Sequence, residues 1–312
     1  MSADLGALQP VFDLCASQNR GVHIAAPMVR YSKLPFRLLC RAWGCDVAYT
    51  PMIVADSFVA ADKARFMGFS TNTADRPLIA QFAASDACVM ERAAALIATH
   101  CDAVDVNCGC PQKWAMADGI GAALLADVEL VRDMVRRVRA GGDLPISIKI
   151  RTSSDLRKTV DLCRAVEAAG VAFVTVHGRT HRQRSSEPVD LAAIKLVKES
   201  VAVPVIANGD VFSLTDARRI VAETGCDGTM AARGLLANPA LYDARGFEQP
   251  PIECVGQFMR LGVQLGFDFD TVHHHLQWML TCHLSSADRK EFNGLNSMGG
   301  VYDFFERRGA TL

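Results

Sequence analysis

Two thiols with one residue between them stand in the run Asn107-Cys108-Gly109-Cys110-Pro111. A cysteine held between glycine and proline belongs to a loop rather than to a packed layer. Cys110 is therefore expected at a candidate active site, at the C-terminal end of the strand before it. Cys108, at the end of an apolar segment, is expected to serve packing, the usual role of a free cysteine. No metal is expected: Cys-x-Cys is too close for the usual zinc pairs, and none of the eleven cysteines forms a Cys-x-x-Cys.

Other residues of chemical interest close short apolar segments. Ala26-Pro27-Met28-Val29 ends one, with proline stopping the ladder. Gln81 lies within another and offers both a donor and an acceptor, as the edge of a pyrimidine-like ring requires; its plainer role is a core amide satisfied by backbone. Lys149 and His177 follow on two more. Asn208-Gly209-Asp210 and Ala232-Arg233-Gly234 end the last two, where glycine-bearing turns and an arginine suit a phosphate. A phosphate anchor, an amide for a ring edge and a buried lysine together describe a flavin mononucleotide (FMN) site, because a cation near N1 and the C2 carbonyl stabilises the anionic reduced ring. Lys149 as one half of a buried ion pair is the bland alternative. Lys149 as the Schiff-base lysine of an aldolase barrel would leave Gln81 and Cys110 without a role.

These residues need elements that bring them to one place. Apolar segments begin near 22, 47, 78, 103, 145, 171, 204 and 229, each followed by helical or loop sequence. Helices are predicted over 34–43, 86–99, 127–139, 155–168, 191–199 and 213–224, with Asp86 and Ser213 as caps. Eight strand–helix repeats predict a (β/α)8 TIM barrel, whose strand C-termini carry the chemistry. No Gly-x-Gly-x-x-Gly follows the first strand, so a dinucleotide-binding sheet is not expected. After about residue 246 the pattern changes. Pro250-Pro251 marks a linker, and helices over 254–265, 270–284 and 288–307 predict a small C-terminal all-helical domain. The expected division is 1–246 for the barrel and 247–312 for the helical domain. His273, His274 and His275 point in different directions on a helix and cannot converge on one metal, so surface or interdomain places are expected for them.

The chain has 312 residues, 50% of them hydrophobic and 21% charged, and a net charge of -1, so no overall field announces a nucleic-acid partner. The distribution says more. His177 to Arg184 holds three arginines and two histidines, Arg30, Lys33, Arg37 and Arg41 stud the first helix and its approach, and Arg132 to Arg139 form another basic face. Such patches suit a phosphate-bearing partner better than a membrane, although for Arg132 to Arg139 a solvated helix face is the favoured explanation. The first nineteen residues lack the basic start and apolar stretch of a signal peptide, and no apolar run is long enough for a bilayer. An intracellular protein is expected, cytoplasmic or nuclear, not secreted, with its thiols reduced.

The motifs Ala26-Pro27-Met28, Gln81, Asn107-Cys108-Gly109-Cys110-Pro111, Lys149, His177-Gly178-Arg179-Thr180, Asn208-Gly209-Asp210 and Arg233-Gly234 resemble the tRNA-dihydrouridine synthase family over nearly the whole chain. The longer runs Ala26 to Arg37 and Asn107 to Ala117 are similar to its eukaryotic branch associated with D-loop uridines 20a and 20b. The resemblance implies FMN as cofactor, NADPH or NADH as reductant, hydride transfer to C6 of a flipped uracil and a proton for C5 from Cys110. It assigns Pro27, Met28, Val29, Gln81, Lys149, His177, Asn208, Gly209, Asp210, Ala232, Arg233 and Gly234 to the cofactor, and Asn107, Lys113, Arg179, Arg182 and Arg184 to the D-loop of the tRNA. A monomer is expected. Two positions depart from the pattern: Arg184-Ser185-Ser186-Glu187 replaces a Tyr-x-Gly, and Ala232 stands where glycine is common. The rival classes are an FMN barrel acting on a free pyrimidine, as a dihydroorotate dehydrogenase does, and a tRNA-binding protein without catalysis.

Overall fold

A computed structural model describes residues 4–309. Nine parallel strands run through it: β1 (Val22–Ala25), β2 (Val47–Tyr49), β3 (Ile53–Val54), β4 (Leu78–Ala83), β5 (Ala103–Cys108), β6 (Ile146–Arg151), β7 (Val174–His177), β8 (Val205–Asn208) and β9 (Gly228–Ala231). β1 pairs with both β2 and β9, and β2 pairs with β4, so eight strands close a TIM barrel as the strand count predicts. β3 is an addition. It pairs only with β4, through Ile53↔Phe82 and Val54↔Ala83, and two residues carry no readable period.

Strand alternation sorts the side chains into two layers. Val104, Val106 and Cys108 face the helices with Ile146, Ile148 and Ile150. Ile24, Val47, Ile79, Ala103, Ile206 and Met230 fill the inside. Below them an unanticipated helix, Gln9–Ser17, brings Phe12 against Phe173 and closes the barrel floor. Each such buried side chain contributes about 1.5–3 kcal/mol of hydrophobic stabilisation, so the lower barrel is a packed core and only its upper end is free for chemistry. Two helices start on the expected caps, Asp86 accepting from Val89 N and Ser213 from Asp216 N, and Asp127 caps a third by accepting from Leu130 N.

Two expectations about the outer elements change. The predicted last helix is two, Ser286–Asn293 and Met298–Glu306, because Gly294 ends the first and Ser297 accepts from Gly300 N to start the second. The basic approach helix is not a free basic face either. Arg37 and Arg41 both pair with the buried Asp75, at 2.6 and 3.1 Å, since a guanidinium buried beside a carboxylate is less costly than one buried alone. Arg132, Arg137 and Arg139 are likewise paired, with Glu129, Asp133 and Asp4.

The C-terminal helices share the core of the barrel. Phe36 and Cys40 on the helix Leu34–Ala42 pack in one continuous apolar cluster with Cys254, Phe258, Met259 and Leu276. Trp43 Nε1 donates to Gln257 Oε1 at 2.9 Å, and His275 Nε2 bonds Tyr31 O at 2.9 Å. His275 therefore lies where the C-terminal helices meet the segment after β1, His273 is buried against Phe292 O at 2.8 Å, and His274 is exposed.

Candidate active site

Alternation on β4 to β8 turns Gln81, Asp105, Asn107, Ser147, Lys149, Thr175, His177 and Asn208 to the barrel interior, at its C-terminal end. Register places Gln81 beside Asp105, Asn107 beside Lys149 and His177 beside Asn208. One chain of hydrogen bonds runs through them. Asn107 Nδ2 donates to Gln81 Oε1 at 2.8 Å, Gln81 Nε2 to Asp105 Oδ2 at 2.9 Å, and Ser147 Oγ to Asp105 Oδ1 at 2.6 Å. Burial pushes Asp105 up to about 6, against the pull of Ser147, Gln81 and Lys149. Burial and then Arg151 bring Lys149 down to about 8, with Asp105 and Cys110 opposing. Among the described residues the Lys149 ammonium has neither a hydrogen bond nor an ion-pair partner, so it is presented to the barrel mouth.

The other end of Asn107 builds the thiol loop. Its Oδ1 accepts from Gly109 N at 3.1 Å and Cys110 N at 2.9 Å, and Arg151 Nε donates to Gly109 O at 3.0 Å. Cys110 O accepts from Ala122 N at 2.9 Å. Cys110 is half-buried at the mouth. Cys108 points the opposite way, fully buried among the outer-layer residues, where burial, then Asp105, hold its thiol well above the usual range.

Opposite this loop, the ends of β8 and β9 form a cradle of about 70 Å³ lined by His177, Asn208, Gly209, Asp210, Ala232, Arg233 and Gly234. Gly209 has φ +121°, and a Cβ there would lie 2.6 Å from Val189 and 3.1 Å from the His177 ring. Among the described residues the amides of Gly209 and Asp210 donate no hydrogen bond, and Ala232 has a negative φ, -116°, so the position does not demand glycine through a left-handed backbone. Arg233 reaches Asp210 Oδ1 at 3.3 Å and Ser185 O at 3.2 Å. His177 is brought down to about 2 by burial and then by Lys149, Arg151, Arg179 and Arg233, which registers more positive charge here than the local carboxylates balance. Free amides in a surplus of positive charge fit a phosphate, and the unpartnered Lys149 ammonium fits the electron-rich edge of a flavin ring.

The profile of the dihydrouridine synthase family (Dus) matches residues 24–287. The chain belongs to that family. Among its relatives are the "tRNA-dihydrouridine(20a/20b) synthase [NAD(P)+]-like" protein of Mus musculus, 49% identical over 91% of this chain and 87% of that one, and the "tRNA-dihydrouridine(20a/20b) synthase [NAD(P)+]" of Schizosaccharomyces pombe, 47% identical over 84% and 80%. Solved structures share the fold at low identity. Histamine dehydrogenase from Rhizobium sp. 4-9 superposes with a TM-score of 0.55 at 13% identity over 77% of this chain and 48% of that one. A 2-naphthoyl-CoA reductase does so with 0.54 at 13% over 87% and 56%.

Within this dihydrouridine synthase the predicted residues fall into three places. Gln81, Asn107, Cys110, Lys149, His177 and the 208–210 and 232–234 turns converge at the mouth, with Pro27 and Met28 half-buried at the end of β1 and Met28 N held by Ser32 Oγ at 2.9 Å. Val29, Lys113, Arg182 and Arg184 are exposed around it. Arg179 is different: only 2% exposed, it pairs with Asp210 and donates to Glu187 O, so it braces the cradle from inside and has no surface to offer a tRNA. The amide of Gln81 is engaged by Asp105 and Asn107, which leaves one N–H and one lone pair for a ring edge. Sequence reasoning missed Asp105 and Arg151. Each lies two residues from a recognised neighbour, Asn107 or Lys149, and the period of two would have found both.

Proposed function

We propose that this chain reduces the C5–C6 double bond of D-loop uridines in tRNA, at positions 20a and 20b, with NADPH or NADH as reductant. Bound FMN supplies the hydride chemistry. Gly209, Asp210, Arg233 and Gly234 would hold its phosphate, and Lys149 would face its N1–C2 edge, where a cation favours the reduced anion. Everything else is the work of side chains. Asn107 orients the loop so that the Cys110 thiol lies over the barrel mouth, within reach of one face of a flipped base, and its proton goes to C5. Arg151 fastens the same loop to Thr180 O at 2.9 Å, which keeps the thiol from swinging away as the base enters. Asp105, held by Gln81 and Ser147, fixes the Gln81 amide in one orientation toward the ring edge. The helical segment from about 247, together with Lys113, Arg182 and Arg184, would carry the tRNA backbone contacts of a monomeric, intracellular enzyme.

The observation that carries this reading is the Asn107 clamp on Cys110 directly beside Lys149, which has no hydrogen-bond or ion-pair partner among the described residues. The test is incubation of the purified yellow protein and NADPH with tRNA from cells lacking this modification, followed by nucleoside mass spectrometry. Dihydrouridine at the D-loop positions is expected. Flavin reduction with unmodified tRNA, or turnover of free orotate or uracil instead, would overturn the proposal in favour of a free-pyrimidine enzyme.

A further inference from the structure

A cleft of about 540 Å³ lies beside the barrel mouth, within the usual size of a ligand site. Its floor is Thr50 to Met52 after β2, and Met52 packs against the same small apolar cluster of Ala83, Ala115 and Ile120 as Cys110, so the cleft neighbours the thiol loop. On its walls stand Val29, Phe66, Met67 and Phe267, with Lys33 over the Phe267 ring at 5.9 Å. Phe66 is 84% exposed, Met67 75% and Val29 60%, which leaves three large apolar side chains in water around one opening. They are held there. Arg65 Nη1 donates to Phe58 O at 2.8 Å and Arg37 Nη2 to Ser70 O at 2.6 Å, so the segment carrying Phe66 and Met67 is tied down on both sides.

We infer that this cleft is a second nucleobase subsite, which takes an unpaired base next to the target uridine by stacking on Phe66 and Met67 while Lys33 meets the adjoining phosphate. The inference rests on the tRNA reading above. A base drawn into the barrel leaves its neighbours unstacked, and an aromatic and a thioether beside the mouth restore that contact without reading sequence. The lining favours this occupant over another protein: exposed stacking groups stand in one cleft with the Lys33 ammonium, which donates to Thr271 Oγ1 at 3.1 Å but has no ion-pair partner among the described residues, whereas Arg37 is taken by Asp75.

The test uses the full-length holoenzyme with the double substitution Phe66→Ala and Met67→Ala, and Phe66→Tyr as the conservative variant. Loss of one stacked base is expected to raise KM and Kd for tRNA between about fivefold and 150-fold. FMN content and NADPH oxidation should stay at the wild-type level, which also reports correct folding. The slope of log affinity against log salt should not change, because no charge is removed. Phe66→Tyr should keep most of the affinity, and Leu14→Ala, an exposed apolar residue on the floor helix, should have no effect. An active wild type with an equally active double variant overturns this proposal alone. So does a change in oligomeric mass without a change in tRNA kinetics, which would assign the patch to a second copy of the chain. A wild type that neither binds nor reduces tRNA overturns both readings.

Discussion

Gly121 presses directly on Cys110: a Cβ at position 121 would come within 2.7 Å of the Cys110 carbonyl oxygen and 2.9 Å of its Cβ. The backbone of Gly121 also sits at φ +66°. Gly121→Ala therefore meets backbone on one side and a left-handed conformation on the other, the latter costing about 1–2 kcal/mol by itself. We expect the Cys110 loop to shift and dihydrouridine formation to fall at least tenfold while flavin content stays normal. Single-turnover kinetics of the two half-reactions would check this, and an unchanged rate would mean the loop adjusts freely.

The two cysteines should separate cleanly. Cys110→Ala is expected to leave FMN binding and reduction by NADPH intact and to nearly abolish uridine reduction, since the proton is needed only in the second half-reaction. Cys108→Ala removes a buried outer-layer thiol and should lower the melting temperature slightly with little effect on turnover. Equal loss of turnover from both would refute the assignment of the acid.

Lys149→Met should act in opposite directions on stability and on cofactor binding. Without FMN, a charged Lys149 is held at about 8 against a free value of 10.5, so burying its charge costs stability. Below pH 8 both folded and unfolded chains carry the proton and the full cost is felt. Between about 8 and 10.5 the folded chain has lost it and the cost fades. The melting temperature of flavin-free Lys149→Met should therefore exceed that of the wild type by a constant amount below pH 8, the gap shrinking as pH rises to 10.5. FMN affinity should fall. A gap that does not vary with pH would mean the effect is packing alone.

Arg233→Ala removes one of the charges around the phosphate cradle. A charged hydrogen bond of this kind is worth about 1.5–3 kcal/mol, so the dissociation constant for FMN should rise roughly ten- to a hundredfold. Equilibrium dialysis of FMN against the variant would measure it, and wild-type affinity would place the phosphate elsewhere.

Arg260, Arg289 and Lys290 are exposed and have no ion-pair partner among the described residues, unlike Arg307 and Arg308, which pair with Glu291 and Asp288. Replacing the three with alanine should weaken tRNA binding and lower the slope of log affinity against log salt by about one unit for each phosphate no longer neutralised. Point substitutions suit this question better than removal of the segment, which would bare Phe36 and Trp43. A salt slope identical to wild type would show that the helical segment only covers the barrel.

What the sequence disclosed and what it hid divide along one physical line. Local signals were legible: proline and glycine after an apolar run located Cys110 and both halves of the phosphate cradle, and Asp86, Asp127 and Ser213 marked helix starts. Pairings between distant segments were not. That Arg37 and Arg41 answer to Asp75, or Arg179 to Asp210, depends on which surfaces meet, and a run of arginines looks the same whether it faces solvent or a buried carboxylate. Phe66 and Met67 illustrate the converse, since nothing in the sequence around them tells an apolar pair left in water from one packed inside. The split at Gly294 lay between: a glycine inside a helical pattern is tolerated often enough that the Ser297 cap was needed to decide it.

Trp43 and its partner Gln257 are 214 positions apart. At a synthesis rate of about 5–20 residues per second, roughly 10 to 40 s pass between the appearance of the two at the ribosome. For that interval the flank of the growing barrel around Phe36 and Cys40 has no cover, and a nascent chain with such a patch is a ready client for chaperones. Yield in cells should then depend on translation speed and on holdase supply more strongly than the stability of the finished enzyme would suggest.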